Sequence, residues 1–222
     1  MTNKKILFSL YLTLFILSIS VFAIDDEDYA FDPVVTFDTT NAIKDRGSVY
    51  FNGNIDSKYI IDELGFGWNL VNTFDEWNSS QNQGLDSETC WGNPETTVEM
   101  IDEIVEKGFR AIRIPVTWHN HLIYDKYTVV PEWMTRIKTV VDWCIKRGLY
   151  VISNTHHDNC DGKEEPIKYG EGYYPLLKDA VESEKFIYNI WVQISTAFNN
   201  GYDHHLIFEG LNEPRMIGMR NE

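Results

Sequence analysis

The chain has 222 residues, 43% of them hydrophobic and 14% aromatic, with a formal net charge of −15. That length and composition suit one good-sized globular domain. The charge excludes nucleic acid as a partner, because nothing here would neutralise phosphates. It also argues against an anionic membrane surface, and fits a neutral or cationic partner or an acidic coat that keeps a secreted protein soluble.

Residues 1–23 read as a cleaved signal peptide. Lys4 and Lys5 precede an apolar run, and Val21-Phe22-Ala23 offers small residues where a peptidase would cut. The alternative is a membrane anchor, since the uncharged stretch from Ile6 to Ile24 is about long enough to span. Export would permit disulfides, yet the three cysteines Cys90, Cys144 and Cys160 are an odd number. One thiol stays free, or its partner lies in sequence not present here. In a secreted chain the sequon Asn78-Ser79-Ser80 would lie on a surface loop. Residues 24–57 are acidic and irregular and read as a lead-in or linker.

From residue 58 the pattern is regular. "ELGFGWNLVN" contains a strand. Pro94 to Lys107 reads as a helix capped by Thr96 or Thr97, with Met100, Ile101, Ile104 and Val105 on its buried face and Gly108 ending it. "FRAIRIP" is the next strand. Pro131 to Arg147 is a helix with proline in its first turn and a stripe of Ile137, Val140, Val141 and Cys144, closed by Gly148. "LYVISNT" follows as a strand. Glu182 to Phe198 is a third helix, with Phe186, Ile190, Trp191, Ile194 and Phe198 on one side, and "LIFEGLN" is a fourth strand that reads as buried on both faces.

Strands and helices alternate, and the strands are apolar throughout. The fold class is therefore α/β, with parallel strands covered by helices. Either a doubly wound open sheet or an eight-stranded barrel begins this way. A nucleotide-binding open sheet should carry a glycine-rich turn after its first strand, and "GFGWNL" lacks the third glycine.

Polar residues collect at the C-terminal ends of these strands: Asn69 and Asn72, then Arg113, then Asn154 to Asp158, then Asn212 and Glu213. In an α/β barrel that face builds the chemistry. Each residue also has a plainer reading. Arg113 could be a structural arginine, with Glu213 as its buried partner. His156, His157 and Asp158 could suggest a metal, but neighbours in an extended segment point to opposite faces, so no metal is expected.

Four stretches in order, "GWNLVNTFD", "FRAIRIPVTWHNH", "YVISNTHHD" and "LIFEGLNEPR", resemble glycoside hydrolase family 5, most nearly its endoglucanases. The resemblance implies a TIM (β/α)8 barrel, of which residues 58–222 would supply strands one to four. It implies that Glu213 is the general acid/base of a retaining mechanism. The end of a buried strand would raise its pKa as that role requires. Asn212 would bond the sugar 2-hydroxyl, Arg113 would orient the nucleophilic carboxylate, and His156 would line the cleavage subsite. His157 and Asn72 would contact sugars on the non-reducing side. Trp118 and Trp91 are candidate sugar-stacking platforms, with packing of the cleft wall as the alternative for both.

Val71 stands where the family carries a glycine, which puts the contact from Asn72 in doubt. The family's nucleophile is a glutamate on the seventh strand, and this chain ends soon after the fourth. The expectation is thus the N-terminal half of a secreted endo-β-1,4-glucanase catalytic domain, inactive as it stands, acting by ancestry on β-glucan polysaccharide. The alternatives are a mannanase, xyloglucanase or lichenase, or a fragment that binds glycans without cleaving them. No cofactor and no oligomer are implied.

Overall fold

The computed structural model describes residues 57–76, 84–123, 127–159, 171–198 and 201–215. All belong to the unit Phe31–Glu222. The signal segment, most of the acidic lead-in, the sequon at Asn78 and Cys160 lie outside the described residues. No helix among the described residues is long and apolar enough to cross a membrane.

The elements run α1 (Ser57–Leu64), β1 (Gly67–Asn69), α2 (Val98–Glu106), β2 (Ala111–Ile114), α3 (Pro131–Lys146), β3 (Tyr150–Asn154), α4 (Ala180–Phe198) and β4 (Leu206–Glu209). The four strands form one parallel sheet in sequential order. The register aligns Asn69 with Arg113, Arg113 with Ile152, and Ile152 with Ile207, so the four C-terminal ends share one edge.

The helices begin and end where local chemistry dictates. Thr97 rather than Thr96 caps α2, accepting the Met100 N–H on its hydroxyl, so the helix starts at Val98 and not at Pro94. Ile101 and Ile104 are its buried residues. Pro131 opens α3, where its missing N–H costs nothing. Gly108 and Gly148 follow α2 and α3 at φ of 86° and 80°, a conformation that a side chain would strain. The short helix α1 was not foreseen. None of its residues is buried, and an ion pair of 2.5 Å ties Glu63 to Arg110.

One apolar cluster joins strand residues Ile112, Ile114, Val151 and Leu206 to Ile101, Ile137, Val140, Phe186 and Ile190 of the helices. The inner strands β2 and β3 are largely buried, as expected. The outer strands are not. All three residues of β1 are exposed, and only Leu206 of β4 is buried. An outer strand is covered by a neighbour on one side only, so "LIFE" is not buried on both faces even though its composition is that of a core strand. Cys90 and Cys144 are both free thiols.

Two features generate tests. Ile137 is fully buried whereas Ile61 is 66% exposed. Ile137→Ala is expected to cost about 2–5 kcal/mol in urea denaturation, and Ile61→Ala to stay within about 0.5 kcal/mol. His121 is stacked on Trp133 with ring centroids 3.7 Å apart, and its Nε2 lies 3.0 Å from the Ser87 hydroxyl. Burial first, then His119, pulls its pKa from 6.5 to about 3. Unfolded chains bind a proton there near pH 6.5 and the folded chain does not until about pH 3. Stability should therefore be lost as pH falls through that window, by up to about 1.4 kcal/mol per pH unit. His121→Phe, which retains an aromatic ring against Trp133, should flatten the dependence. An equally steep loss in that variant would show that this ring is not its source.

Candidate active site

The shared C-terminal edge of the sheet carries most of the residues singled out from the sequence. Arg113, on β2, reaches across β3 to Glu209 at the end of β4. Its Nε donates to Glu209 Oε2 (2.8 Å) and its Nη2 to Oε1 (2.9 Å), a two-pronged match of guanidinium and carboxylate. The same Nη2 donates to Asn212 Oδ1 at 3.1 Å. The arginine's hydrogen bonds and charge hold Glu209 below the usual carboxylate range, against the smaller opposing effect of burial. The carboxylate partner of Arg113 is thus Glu209 and not Glu213.

The segment after β4 is anchored from β3. Asn212 N–H donates to Thr155 O (2.9 Å), and the Thr155 hydroxyl donates to Gly210 O (2.6 Å). Trp191 on α4 donates from its indole to the same Gly210 carbonyl at 3.1 Å. Asn212 is half-buried in consequence. Glu213, next to it, sits at φ 41°, a conformation rare for a residue with a side chain. It does not have the buried surroundings expected of it. Its side chain is 65% exposed, and Oε2 lies 3.1 Å from Arg215 Nη1. The strand that delivers it is an outer one, and solvent reaches its end.

His156 and His157 converge instead of diverging. The chain leaves β3 at Asn154 and bends at His157, which breaks the two-residue alternation on which the opposite-face argument rested. Both Nε2 atoms face Asp75 Oδ2, at 3.8 Å and 3.6 Å, and the two rings lie 4.5 Å apart. Asp75 is 1% exposed, and its Oδ2 has no hydrogen-bond partner. Burial works to raise its pKa, but the His157 contact, the Thr73 N–H at 3.0 Å and the charge of His156 outweigh it and leave Asp75 low. Burial, then His157, pushes His156 down to about 4.

The ligand-type atoms of Asp75, His156 and His157 lie within 4.8 Å of one another, compact enough for a divalent ion on distance alone. A second such trio, Asp203, His204 and His205, lies just before β4, where Asp203 Oδ1 already accepts from the His205 backbone N–H.

The two tryptophans separate. Trp118 is 1% exposed and donates from its indole to Asn154 O at 3.2 Å. It packs the wall and offers no open face to a sugar. Trp91 is exposed, with its ring 5.8 Å from that of His157. Its backbone N–H donates to the buried Glu76 at 2.5 Å. Asn72 is exposed at φ 56°, and its carbonyl accepts from Asn93 Nδ2 at 2.5 Å. Val71 is itself exposed.

Three residues of the site escaped the sequence reading. Glu209 stands four positions before Glu213, inside a run read as buried strand. Asp75 lies in "NTFD", beyond the first strand, where nothing but folding brings it to β3. Asn154 was noted only as a strand-end residue. A carboxylate inside an otherwise apolar strand was the one available signal, and it points to Glu209.

Comparisons with known proteins bear on the chain as a whole. The model of the family described as Cellulase (glycosyl hydrolase family 5) matches residues 74–221. Endoglucanase 1 of Ruminococcus albus is 43% identical over 164 residues, covering 73% of this chain and 36% of the relative. The chain thus spans about a third of that enzyme's length. A family 5 lichenase from Caldicellulosiruptor, solved with cellotetraose, superposes with a TM-score of 0.66 at 40% identity, over 75% of this chain and 42% of that one. A family 5 enzyme from Prevotella bryantii, solved with a xyloglucan tetradecasaccharide, gives 0.64 at 37%, over 74% and 45%. By residue match and by structure alike, the chain belongs to glycoside hydrolase family 5, and its four parallel strands with their helices are part of a (β/α)8 barrel.

Proposed function

We propose that this chain supplies the acid/base half of a secreted, retaining endo-β-1,4-glucanase acting on cellulose-type polysaccharide. The supporting observation is the way Asn212 and Glu213 are presented. Arg113 holds the Asn212 side chain, Thr155 holds its backbone, and Glu213 follows directly in a strained conformation at the edge that also carries His156. Strain of this sort persists only where the surroundings impose it and is frequent at functional sites.

In this reading Glu213 protonates the departing glycosidic oxygen and then takes the proton of the incoming water. Asn212 bonds the 2-hydroxyl, with its side-chain oxygen fixed by Arg113 so that its amide N–H groups are left for the sugar. His156 lines the cleavage subsite, while His157, Asn72 and Trp91 contact the sugars beside it. The exposure of Glu213 fits a cleft whose opposite wall, including the nucleophilic glutamate, is built by later strands of the barrel. Occupation of that wall would bury the carboxyl. The names of the relatives favour β-1,4-glucan, and the lichenase and the xyloglucan complex keep mixed-linkage glucan and xyloglucan as substrates of the same site. Residues 1–23 serve as the signal for export.

Two measurements follow. The 222-residue chain alone should release no detectable sugar from carboxymethylcellulose or barley β-glucan. Turnover that vanishes in Glu213→Gln would mean that a second carboxylate is recruited from this half. In the enzyme completed with the remaining strands, Glu213→Ala should slow cellulose hydrolysis by roughly 10²–10⁴-fold, the usual worth of a general acid. Formation of the glycosyl-enzyme from an aryl cellobioside with an acidic phenol should be nearly spared, because that leaving group needs no proton. Azide should restore turnover of the activated substrate and give a β-glycosyl azide of retained configuration. Arg113→Ala and His156→Ala should show no such rescue. Equal losses on both substrates, or no response to azide, would remove Glu213 from the acid/base role.

A further inference from the structure

The contacts of Asn154 fix more than its own position. It is 1% exposed at the end of β3. Its Oδ1 accepts the backbone N–H of Val116 at 3.2 Å, which settles the orientation of the amide. Nδ2 therefore points the other way, toward His156 Nδ1 at 3.2 Å. An amide NH2 group has only hydrogens to offer. His156 Nδ1 must accept, so the single proton of the neutral ring resides on Nε2, the atom that faces the buried, unpartnered Asp75 Oδ2.

We propose that Asn154 is a positioning residue that locks His156 in the Nε2–H tautomer, so that the Asp75–His156–His157 trio presents N–H to carboxylate and is closed to a metal ion. A metal needs the Nε2 lone pair, and here that position carries a hydrogen. To free it, the ring proton would have to move to Nδ1, where it would meet the hydrogens of Asn154. Reversing the amide to accept that proton would set its NH2 against the Val116 N–H in a buried place. The lock also stands beside the other part of the site, since Asn154 pairs in the sheet register with Glu209, the carboxylate that Arg113 binds. A sugar at the cleavage subsite then meets a ring whose proton sits on a fixed atom. This rests on the glycosidase reading only for the identity of that ligand.

The experiment is done on the full-length protein labelled with 15N-histidine. Long-range 15N–1H correlation spectra report the tautomer, with the His156 signals assigned by their loss in His156→Gln. In the parent the proton is expected on Nε2. Asn154→Asp keeps an acceptor for Val116 and places a second acceptor at Nδ1, so the proton should transfer to Nδ1. With Nε2 bare, that variant should gain binding of Co(II), seen as visible absorption that the parent lacks at the same concentration. An Nδ1–H ring in the parent overturns the lock, as does Co(II) absorption in the parent that disappears in His156→Gln. An unchanged tautomer in folded Asn154→Asp does so too. Should that variant not fold, the parent's tautomer and the parent's Co(II) titration decide by themselves. No sugar or turnover enters either measurement, so a failure of the endoglucanase reading would leave this result standing, and the reverse.

Discussion

Arg113 and Glu209 face one another across the strand that separates them, and the rest of the site is arranged on that pair. Their side chains are neither buried nor free, at 24% and 35% exposed. Two parallel hydrogen bonds compensate the partial loss of water at each charge. Because the guanidinium is planar and both bonds are made, Glu209 is fixed in direction as well as distance. The remaining donor capacity of Arg113 goes to Asn212, so the residue beside Glu213 is set by a strand two positions away in the sheet. Removing either charge would strand the other in a half-dry place and release Asn212 together with it.

A second regularity is the work done by buried carboxylates in the loops above the sheet. Asp158 Oδ1 accepts the backbone N–H groups of Trp118 and His119 at 2.9 and 2.8 Å. Glu88 accepts Thr96 N–H at 2.7 Å and both prongs of Arg136. Glu76 accepts Trp91 N–H, and Asp75 accepts Thr73 N–H. All four are at most 2% exposed. Loop backbone has no ladder to satisfy its donors, so an internal acceptor is the means of holding it in one conformation. Part of the negative charge is therefore scaffolding for the loops that carry Trp91, Asn72 and the histidines. The acidic composition is not only a solubility coat.

The same logic explains why the two tryptophans part and the two histidines converge. Trp118 and Trp91 look alike as isolated aromatic residues near polar motifs. Trp118 is drawn inward because its backbone and indole N–H groups both have buried acceptors waiting on β3 and the segment after it. The Trp91 backbone N–H is held by Glu76, and its ring stays exposed beside His157. His156 and His157 likewise converge because the chain turns directly after β3, toward an acid that lies some eighty residues earlier in the sequence.

What the sequence by itself determined is what depends on short-range chemistry. Periodic apolar residues with their caps and glycines marked α2, α3 and α4, and short apolar runs marked the strands. The order of these elements implied a parallel sheet with its polar residues at one edge, and four motifs in register named the family. Tertiary structure decided everything that requires two distant segments to meet. It chose Glu209 over Glu213 as the partner of Arg113, brought Asp75 to the histidine pair, and made Asn154 the link between them. It also left the outer strands β1 and β4 open, because burial depends on how many neighbours an element has and composition records only what the chain could bury. Hydrogen-bond direction is the most non-local property of all. Which nitrogen of His156 carries its proton is set by an amide on β3, and that amide is set in turn by a backbone N–H following β2.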